Sequence, residues 1–253
     1  VGDDCTFRLT KAQDVEGYVE VIGKRRNHLI RPPVANVDQA IVLFAFTSPE
    51  PNLSLLDRFL IEMQRQGIPA VIVFNKKDLV DEQTVSRMQQ IYKDSGCRVL
   101  AVSIREKDGT DEIRQLMEGK TTVLAGPSGV GKSSLTNALC PEAGMEVGAV
   151  SVKTERGKQT TRHAELFAIG EHTFFFDTPG FSSLELMNMK PEEVKQYFPE
   201  FGAYAPACRF RGCMHAGEPD CGIKQAVQEG KISRERYESY LQLTEELSKK
   251  RRY

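Results

Sequence analysis

The sequence predicts an α/β fold whose central sheet is mostly parallel, and three observations support this prediction. Residues 40–46 and 70–74 are continuous apolar runs, the pattern of strands that are buried on both faces. Amphipathic helical segments alternate with such runs. A glycine-rich turn at 126–131 lies between a further apolar run and a helical segment. Strands and helices that alternate in this way form a parallel sheet with helical crossovers.

Residues 1–33 have a different character. Segments 5–10 and 17–22 are rich in β-branched and aromatic residues, which favour strands. The segment Arg31-Pro32-Pro33 is a stiff linker, because each proline fixes its own φ and restricts the residue before it. We therefore expect residues 1–33 to be the end of a small β domain followed by a linker.

The α/β domain is predicted to extend over residues 34–186. Its predicted strands are 40–46, 70–74, 99–102, 121–125, 164–169 and 173–176, the last two joined by a hairpin at Gly170-Glu171. Its predicted helices are 53–66, 81–95, 111–117 and 132–139.

The alternation stops after Asp177, so residues 187–253 are predicted to form a separate C-terminal domain. A proline at the first turn indicates a short helix at 191–198. Residues 201–222 are rich in Cys and Gly and are predicted to be irregular. An amphipathic pattern predicts a last helix at 233–250.

The composition excludes several classes of protein. Of 253 residues, 40% are apolar and 27% are charged, an ordinary globular balance. The net charge of −1 excludes a wholly basic nucleic-acid coat, so any RNA contact must be local. No apolar run approaches the ~20 residues that span a bilayer, and the first residues lack the apolar core of a signal peptide. We expect a cytoplasmic protein without membrane contact, whose six cysteines form no disulfide framework.

Residues 126–133 match the phosphate-binding pattern G-x-x-x-x-G-K-[ST] between a strand and a helix. The glycines allow backbone N–H groups to surround phosphate oxygens, and the helix N-terminus adds partial positive charge. We expect Lys132 to neutralise the β- and γ-phosphates and Ser133 to bind Mg²⁺. The predicted nucleotide contacts of this loop are Gly126, Ser128, Gly129, Val130, Gly131, Lys132, Ser133 and Ser134.

Asn75-Lys76-Lys77-Asp78 follows the apolar run at 70–74 and has the N-K-x-D pattern of a guanine-reading loop. A carboxylate at Asp78 can accept from both the ring N–H and the 2-amino group of guanine, whereas adenine lacks that donor pair. An unpaired buried group costs ~1–3 kcal/mol, enough to discriminate between the bases. Asn75 would connect this loop to the phosphate loop, and Lys76 would stack on the base. Ser103 is a further candidate for contact with the base edge.

Asp177-Thr178-Pro179-Gly180 ends the last predicted strand of the sheet. An aspartate at a strand end beside a phosphate loop is typical of the group that supports Mg²⁺, and the Gly180 N–H is expected to meet the γ-phosphate. Residues 144–162 are long and poor in hydrophobic pattern, as is typical of a switch loop. The adjacent Thr160 and Thr161 are its candidate Mg²⁺ ligands, and we favour Thr161.

The order of these motifs is unusual, because the base reader precedes the phosphate loop along the chain. Small GTPases have the opposite order. A circular permutation keeps the same sheet while the chain begins elsewhere, provided that the original termini lie close together. The sequence therefore predicts a circularly permuted P-loop GTPase domain, in which the D-x-P-G turn leads directly into the C-terminal domain.

The pattern Cys208-x4-Cys213-x-His215-x5-Cys221 lies within the predicted irregular stretch. Three thiolates and one imidazole form a closed tetrahedral Zn²⁺ site, which leaves no position for a reactive water and is therefore structural. Disulfides or core-filling cysteines are the alternatives, and we favour zinc. The nearby Arg209 is either a solvated surface residue or a contact to RNA phosphate.

Together these residues resemble the ribosome small-subunit-dependent GTPase A family of bacteria. The resemblance extends over nearly the whole chain and includes the permuted order and the segments GPSGVGKSS, DTPGFSSLE, CRFRGC and RPPVANVDQA. It implies a partial OB-fold barrel at 1–33, a permuted GTPase domain and a zinc-binding α domain. It also implies binding to the 30S subunit and its 16S rRNA late in maturation, with ribosome-stimulated GTP hydrolysis that uses Mg²⁺. We expect a monomer.

The groups that would position the attacking water depart from known patterns. Phe181 stands where Ras-like enzymes carry the water-orienting glutamine, and a phenyl ring cannot orient water by hydrogen bonding. Many relatives carry a histidine just before the switch threonines, whereas this chain has Gln159. The catalytic candidates are Lys132, Thr161, Gln159 and His163. Slow intrinsic hydrolysis is the expected consequence.

Three alternatives stay open on the sequence alone. One is a permuted GTPase that acts on the large ribosomal subunit. Another is a zinc-containing RNA-binding module that uses the nucleotide as a signal with negligible catalysis. The third is a P-loop ATPase or small-molecule kinase, against which Asp78 argues.

Overall fold

The computed structural model describes residues 1–10, 16–30, 32–144, 164–178, 184–186 and 188–250. Its main feature is a six-stranded sheet in the order β5-β4-β3-β6-β8-β7. The strands are β3 (Gln39–Ala45), β4 (Ala70–Asn75), β5 (Arg98–Ala101), β6 (Thr121–Ala125), β7 (Glu165–Gly170) and β8 (Thr173–Asp177). All neighbours are parallel except the β7–β8 hairpin. The predicted α/β class with a mostly parallel sheet is confirmed.

The helices connect and cover these strands. They are α1 (Leu53–Arg65), α2 (Glu82–Tyr92), α3 (Thr110–Met117), α4 (Lys132–Leu139), α5 (Gly222–Gln228) and α6 (Arg234–Lys250). Side chains cap the first two: Asn52 accepts from the Leu55 N–H at 3.0 Å, and Asp81 accepts from the Thr84 N–H at 2.8 Å. The short helix predicted at 191–198 is a 3-10 helix, Pro191–Tyr197, and α5 was not predicted.

The central strands of the sheet are buried on both faces, because helices pack on each side. Every residue of β3 is buried, and successive side chains point to opposite faces. Phe44 packs in one core with Phe59 of α1, while Leu43 packs in the second core with Ile113 of α3. The central strands carry no polar face to water, so their sequence lacks alternation.

A third core fills the C-terminal part of the chain. Tyr240 and Leu243 of α6 pack there with Phe198 and Leu186, and α1 contributes Ile61 to the same core. Because α1 contributes to two cores, it connects the sheet to the C-terminal region.

Strands β1 (Cys5–Leu9) and β2 (Gly17–Ile22) form an antiparallel ribbon whose residues are all exposed. The division of the chain at 33/34 and 186/187 stays a prediction, as does the OB-fold character of the first part. Within the described residues, the helices are all too short or too polar to cross a bilayer.

Candidate nucleotide and metal sites

The loop after β6 curls tightly between two other strand ends. Gly126 has φ +152° and Gly131 has φ +106°, conformations that L side chains rarely adopt. A Cβ on Gly126 would overlap the Leu43 carbonyl oxygen, and a Cβ on Gly131 would overlap the Asn75 amide nitrogen. Glycine at both positions thus allows the loop to lie directly against β3 and the base-reading loop.

Lys132 lies inside this loop. Its ammonium donates to the carbonyl oxygens of Gly126 at 3.0 Å and Pro127 at 2.7 Å, and the residue is only 8% exposed. Burial lowers the pKa of Lys132 to about 8, although Asp177 acts in the opposite direction. The loop holds this cation at the N-terminus of α4, where the helix dipole also favours an anion.

Asp177 lies at the end of β8, beside the loop, because β8 pairs with β6. The residue is 1% exposed, and neither carboxylate oxygen has a hydrogen-bond partner of normal geometry among the described residues. Burial raises the pKa of Asp177, opposed by the neighbouring Thr136 hydroxyl and by Lys132. A buried carboxylate with free acceptor sites fits a hard cation such as Mg²⁺. The sequence prediction did not include Thr136, which follows Lys132 by one helical turn.

Thr178, the residue after Asp177, is hydrogen-bonded to the sheet. The Thr178 hydroxyl donates to the Leu124 carbonyl oxygen of β6 at 2.6 Å. This bond holds the end of β8 against the strand that carries the phosphate loop.

The base-reading loop is connected to the phosphate loop by direct hydrogen bonds. The Asn75 side-chain amide donates to the Val130 carbonyl oxygen at 2.8 Å and accepts from the Ile104 N–H at 3.1 Å. The Lys76 ammonium donates to the Gly129 carbonyl oxygen at 2.8 Å and to that of Ser48. Contact with Ser48, in the loop after β3, was not expected from the sequence.

Ser103 lies next to Asp78. Its hydroxyl donates to the Asp78 carboxylate at 2.6 Å, and Ser103 itself is 1% exposed. This hydrogen bond holds one oxygen of the carboxylate and so restricts the orientation of the group. The structure therefore brings Asn75, Lys76, Asp78 and Ser103 together with the phosphate loop.

Several predicted site residues lie outside the described residues. They are Gln159, Thr161, His163 and Gly180, together with the alternative Mg²⁺ ligand Thr160 and with Phe181. Their predicted roles in Mg²⁺ binding, phosphate contact and water positioning stay predictions.

Cys208, Cys213, His215 and Cys221 form one compact cluster. Their four ligand atoms lie within 4.8 Å of one another. The His215 Nδ1 lies 3.5 Å from the Cys208 Sγ and 3.4 Å from the Cys221 Sγ, and these two sulfurs are 3.8 Å apart. A tetrahedron with Zn–S bonds of ~2.3 Å has sulfurs about 3.8 Å apart, so the donor set and its spacing fit zinc. Within this part of the chain the cysteines are free thiols.

Neighbouring side chains hold the loop that carries these ligands. From α6, the hydroxyl of Tyr237 donates to the His215 carbonyl oxygen at 2.6 Å, and that of Tyr240 donates to the Met214 carbonyl oxygen. The Glu218 carboxylate accepts from the Met214 N–H at 2.7 Å. Such outer contacts orient metal ligands, and the sequence prediction did not include them.

The chain is similar to proteins of one known family. The family model described as RsgA GTPase matches residues 22–187. The chain belongs to the RsgA GTPase family. Its relatives include two proteins named small ribosomal subunit biogenesis GTPase RsgA. The one from Agathobacter rectalis is 48% identical, and the match covers the whole of this chain and 84% of the relative. The one from Alkaliphilus metalliredigens is 45% identical, and the match covers the whole of this chain and 87% of the relative. The family resemblance is thereby confirmed.

Solved structures agree with this membership. YjeQ from Thermotoga maritima has a TM-score of 0.79 at 36% identity, covering 98% of this chain and 84% of that one. YloQ, described as a circularly permuted GTPase, has a TM-score of 0.76 at 37% identity, covering 99% of this chain and 81% of that one. The predicted permuted GTPase fold is confirmed.

Proposed function

We propose that this protein hydrolyses GTP and acts in the late maturation of the small ribosomal subunit. The observation that carries the proposal is the arrangement around Asp78, whose carboxylate is oriented by Ser103 beside a P-loop. Asn75 connects these two loops through the Val130 carbonyl oxygen, so base recognition and phosphate binding share one rigid frame.

Guanine selection follows from the chemistry of Asp78. Its acceptor oxygens match the ring N–H and 2-amino donors of guanine, and adenine would leave them unpaired. Because Ser103 already orients the carboxylate, little ordering is needed when the base binds. The Lys76 ammonium is bonded to the Gly129 carbonyl oxygen of the phosphate loop, and its aliphatic stem would support the base.

The phosphate end uses charge held in place before the substrate arrives. When the nucleotide binds, the Lys132 ammonium would leave the loop carbonyl oxygens that it contacts and bind the β- and γ-phosphates. We assign Ser133, Asp177 and Thr161 to the Mg²⁺ site, where the bound cation neutralises charge that develops on the phosphoryl group. Positioning and electrostatic stabilisation then supply the rate enhancement.

Intrinsic hydrolysis is proposed to be slow, because Phe181 cannot orient water. Gln159 and His163 are the candidates for that task, and the Gly180 N–H for contact with the γ-phosphate. Contact of the ribosome with residues 144–162 would then activate the enzyme.

The proposed partner is the 30S subunit with its 16S rRNA, supported by the names of the relatives. One surface of the metal-binding region suits RNA. The Arg209 guanidinium lies 5.6 Å from the centre of the Phe210 ring, which is 44% exposed, and Arg211 is exposed beside it. Exposed aromatic and basic side chains stack on bases and contact phosphates. We further propose one structural Zn²⁺ ion, a monomer and a cytoplasmic location.

The Asp78→Asn variant tests the proposal. With an amide in place of the carboxylate, the affinity for GTP should fall roughly 5- to 150-fold, for a loss of ~1–3 kcal/mol. It would gain binding of xanthosine triphosphate, whose 2-carbonyl accepts from an amide donor. Unchanged nucleotide preference would favour the ATPase alternative, and tight GTP binding without phosphate release would favour the non-catalytic module.

A further inference from the structure

Arg58 of α1 contacts two parts of the chain that are distant in sequence. One guanidinium nitrogen donates to the Leu184 carbonyl oxygen at 3.3 Å, and the group also forms an ion pair with Glu246 of α6. The Arg58 side chain is 12% exposed. A planar guanidinium can serve both acceptors at once, which a lysine ammonium on a flexible stem does less well.

Leu184 lies in the connection between the nucleotide site and the C-terminal region. It follows Asp177 by seven residues. Its side chain packs in the core of the sheet with Phe59, whereas Leu186 packs in the C-terminal core. The carbonyl oxygen that Arg58 holds is therefore at the point where the chain crosses from one core to the other.

Helix α6 continues this connection to the metal cluster. The helix that carries Glu246 also carries Tyr237 and Tyr240, whose hydroxyls hold the backbone around His215. Helix α6 thus contacts α1, through Arg58 and through Asp57, and also contacts the metal-binding loop. A shift of Leu184 relative to α1 would change the contacts of Arg58 and, through Glu246, the position of α6.

We propose that Arg58 is a positioning residue that couples the nucleotide state to α6 and the metal-binding region. The inference rests on the proposed function, because it needs GTP and GDP to bind differently at Asp177 and the residues after it. In this proposal Arg58 acts through its contacts with Leu184 and Glu246. The proposed consequence is that α6 differs between the two nucleotide states.

Arg87 provides a matched control. It lies on α2 and forms a similar arginine–glutamate pair with α6, through Glu235 at 2.9 Å, but its side chain is 71% exposed. Its described hydrogen bond goes to α6 alone, without a link to Leu184. Arg87→Met therefore removes one charge pair on α6 and leaves the proposed connection intact.

Hydrogen exchange of the α6 amides, measured with GDP and with a non-hydrolysable GTP analogue, tests the proposal on the full chain. The wild type and Arg87→Met should each show exchange rates that differ about fivefold or more between the two nucleotides. In Arg58→Met this ratio should fall below about two, with Arg58→Lys between the two values. The KM for GTP should stay unchanged, while the kcat stimulated by the small subunit should fall roughly two- to thirtyfold.

Two results would overturn the inference. One is a wild-type protein that binds both nucleotides yet shows equal α6 exchange with each. The other is Arg58→Met with the wild-type ratio. If Arg58→Met does not fold, the same exchange ratio is measured in Glu246→Gln, which removes the ion pair and leaves the bond from Arg58 to Leu184. A wild-type ratio in that variant would overturn the inference. Failure of the proposed function would be seen separately, as absent GTP binding or absent phosphate release in the wild type.

Discussion

Arg236 of α6 is the centre of a buried charge cluster, and its replacement by methionine should strongly destabilise the protein. Its side chain is 2% exposed and forms ion pairs with Asp57 of α1 and with Glu200 at 2.7 Å. The guanidinium also lies 4.4 Å from the centre of the Phe198 ring. Burial alone lowers the pKa of Arg236, but Asp57 and Glu200 together raise it above its ordinary value, so the group stays charged.

Methionine fills a similar volume but leaves two buried carboxylates without a cation. Removal of one partner from a buried ion pair costs ~3–5 kcal/mol. For a chain of this size, 1 kcal/mol corresponds to roughly 2–4 °C in Tm, so the expected decrease is about 6–20 °C.

The pH dependence of the same variant gives a second signature. Burial raises the pKa of Asp57 above its ordinary value even with Arg236 present. A carboxyl group with a raised folded-state pKa favours the folded state at low pH, and this contribution is lost as pH rises through that pKa. Without Arg236 the pKa of Asp57 should rise further, so the stability deficit should be smaller at about pH 5 than at about pH 8.

Thermal and urea unfolding would measure both effects, with Arg87→Met as the control for loss of an exposed α6 ion pair. The control should behave like the wild type, because exposed pairs contribute little. A Tm for Arg236→Met within about one or two degrees of the control, the effect of a surface substitution, would show that Arg236 does not stabilise the two buried carboxylates.

Three further predictions concern the two sites. Gly131→Ala should weaken GTP binding by roughly 5- to 150-fold, because overlap of the new Cβ with the base-reading asparagine costs ~1–3 kcal/mol of binding free energy. Gly119→Ala, with open space around it, should leave GTP binding unchanged. Equal affinities of the two variants would argue against the contact between Gly131 and Asn75. Because the pKa of Lys132 is about 8, GTP binding above that pH must take up a proton, and the affinity measured by calorimetry should weaken by up to about tenfold per pH unit. A constant affinity up to about pH 9.5 would contradict this prediction. Cys221→Ser should lose bound zinc in a chelator assay and lower Tm while Cys5→Ser keeps both; zinc retained by Cys221→Ser would exclude the assigned ligand set.

The sequence was most informative where chemistry demands particular residue types at short spacing. The phosphate loop needs glycines at Gly126 and Gly131 because a Cβ there would overlap neighbouring atoms. The apolar runs of the sheet were predictable because burial on both faces removes polar residues. Parallel strands then place their carboxyl ends together, which is why Asn75 meets Val130 as expected.

Contacts between distant segments could not be predicted in the same way. Arg58 and Glu246 are separated by 188 residues, and nothing local distinguishes either from an ordinary solvated charge. The Tyr237 hydroxyl reaches His215 only because α6 packs against the metal-binding loop. Helix α5 was missed because it begins at a glycine directly after the ligand Cys221, where composition suggested irregular structure.

The decisive measurement is phosphate release from GTP, with ATP as the control substrate and with purified small or large ribosomal subunits added. We predict slow release from GTP alone, none from ATP, and strong stimulation by the small subunit only. Stimulation by the large subunit, or release from ATP at a similar rate, would contradict this prediction.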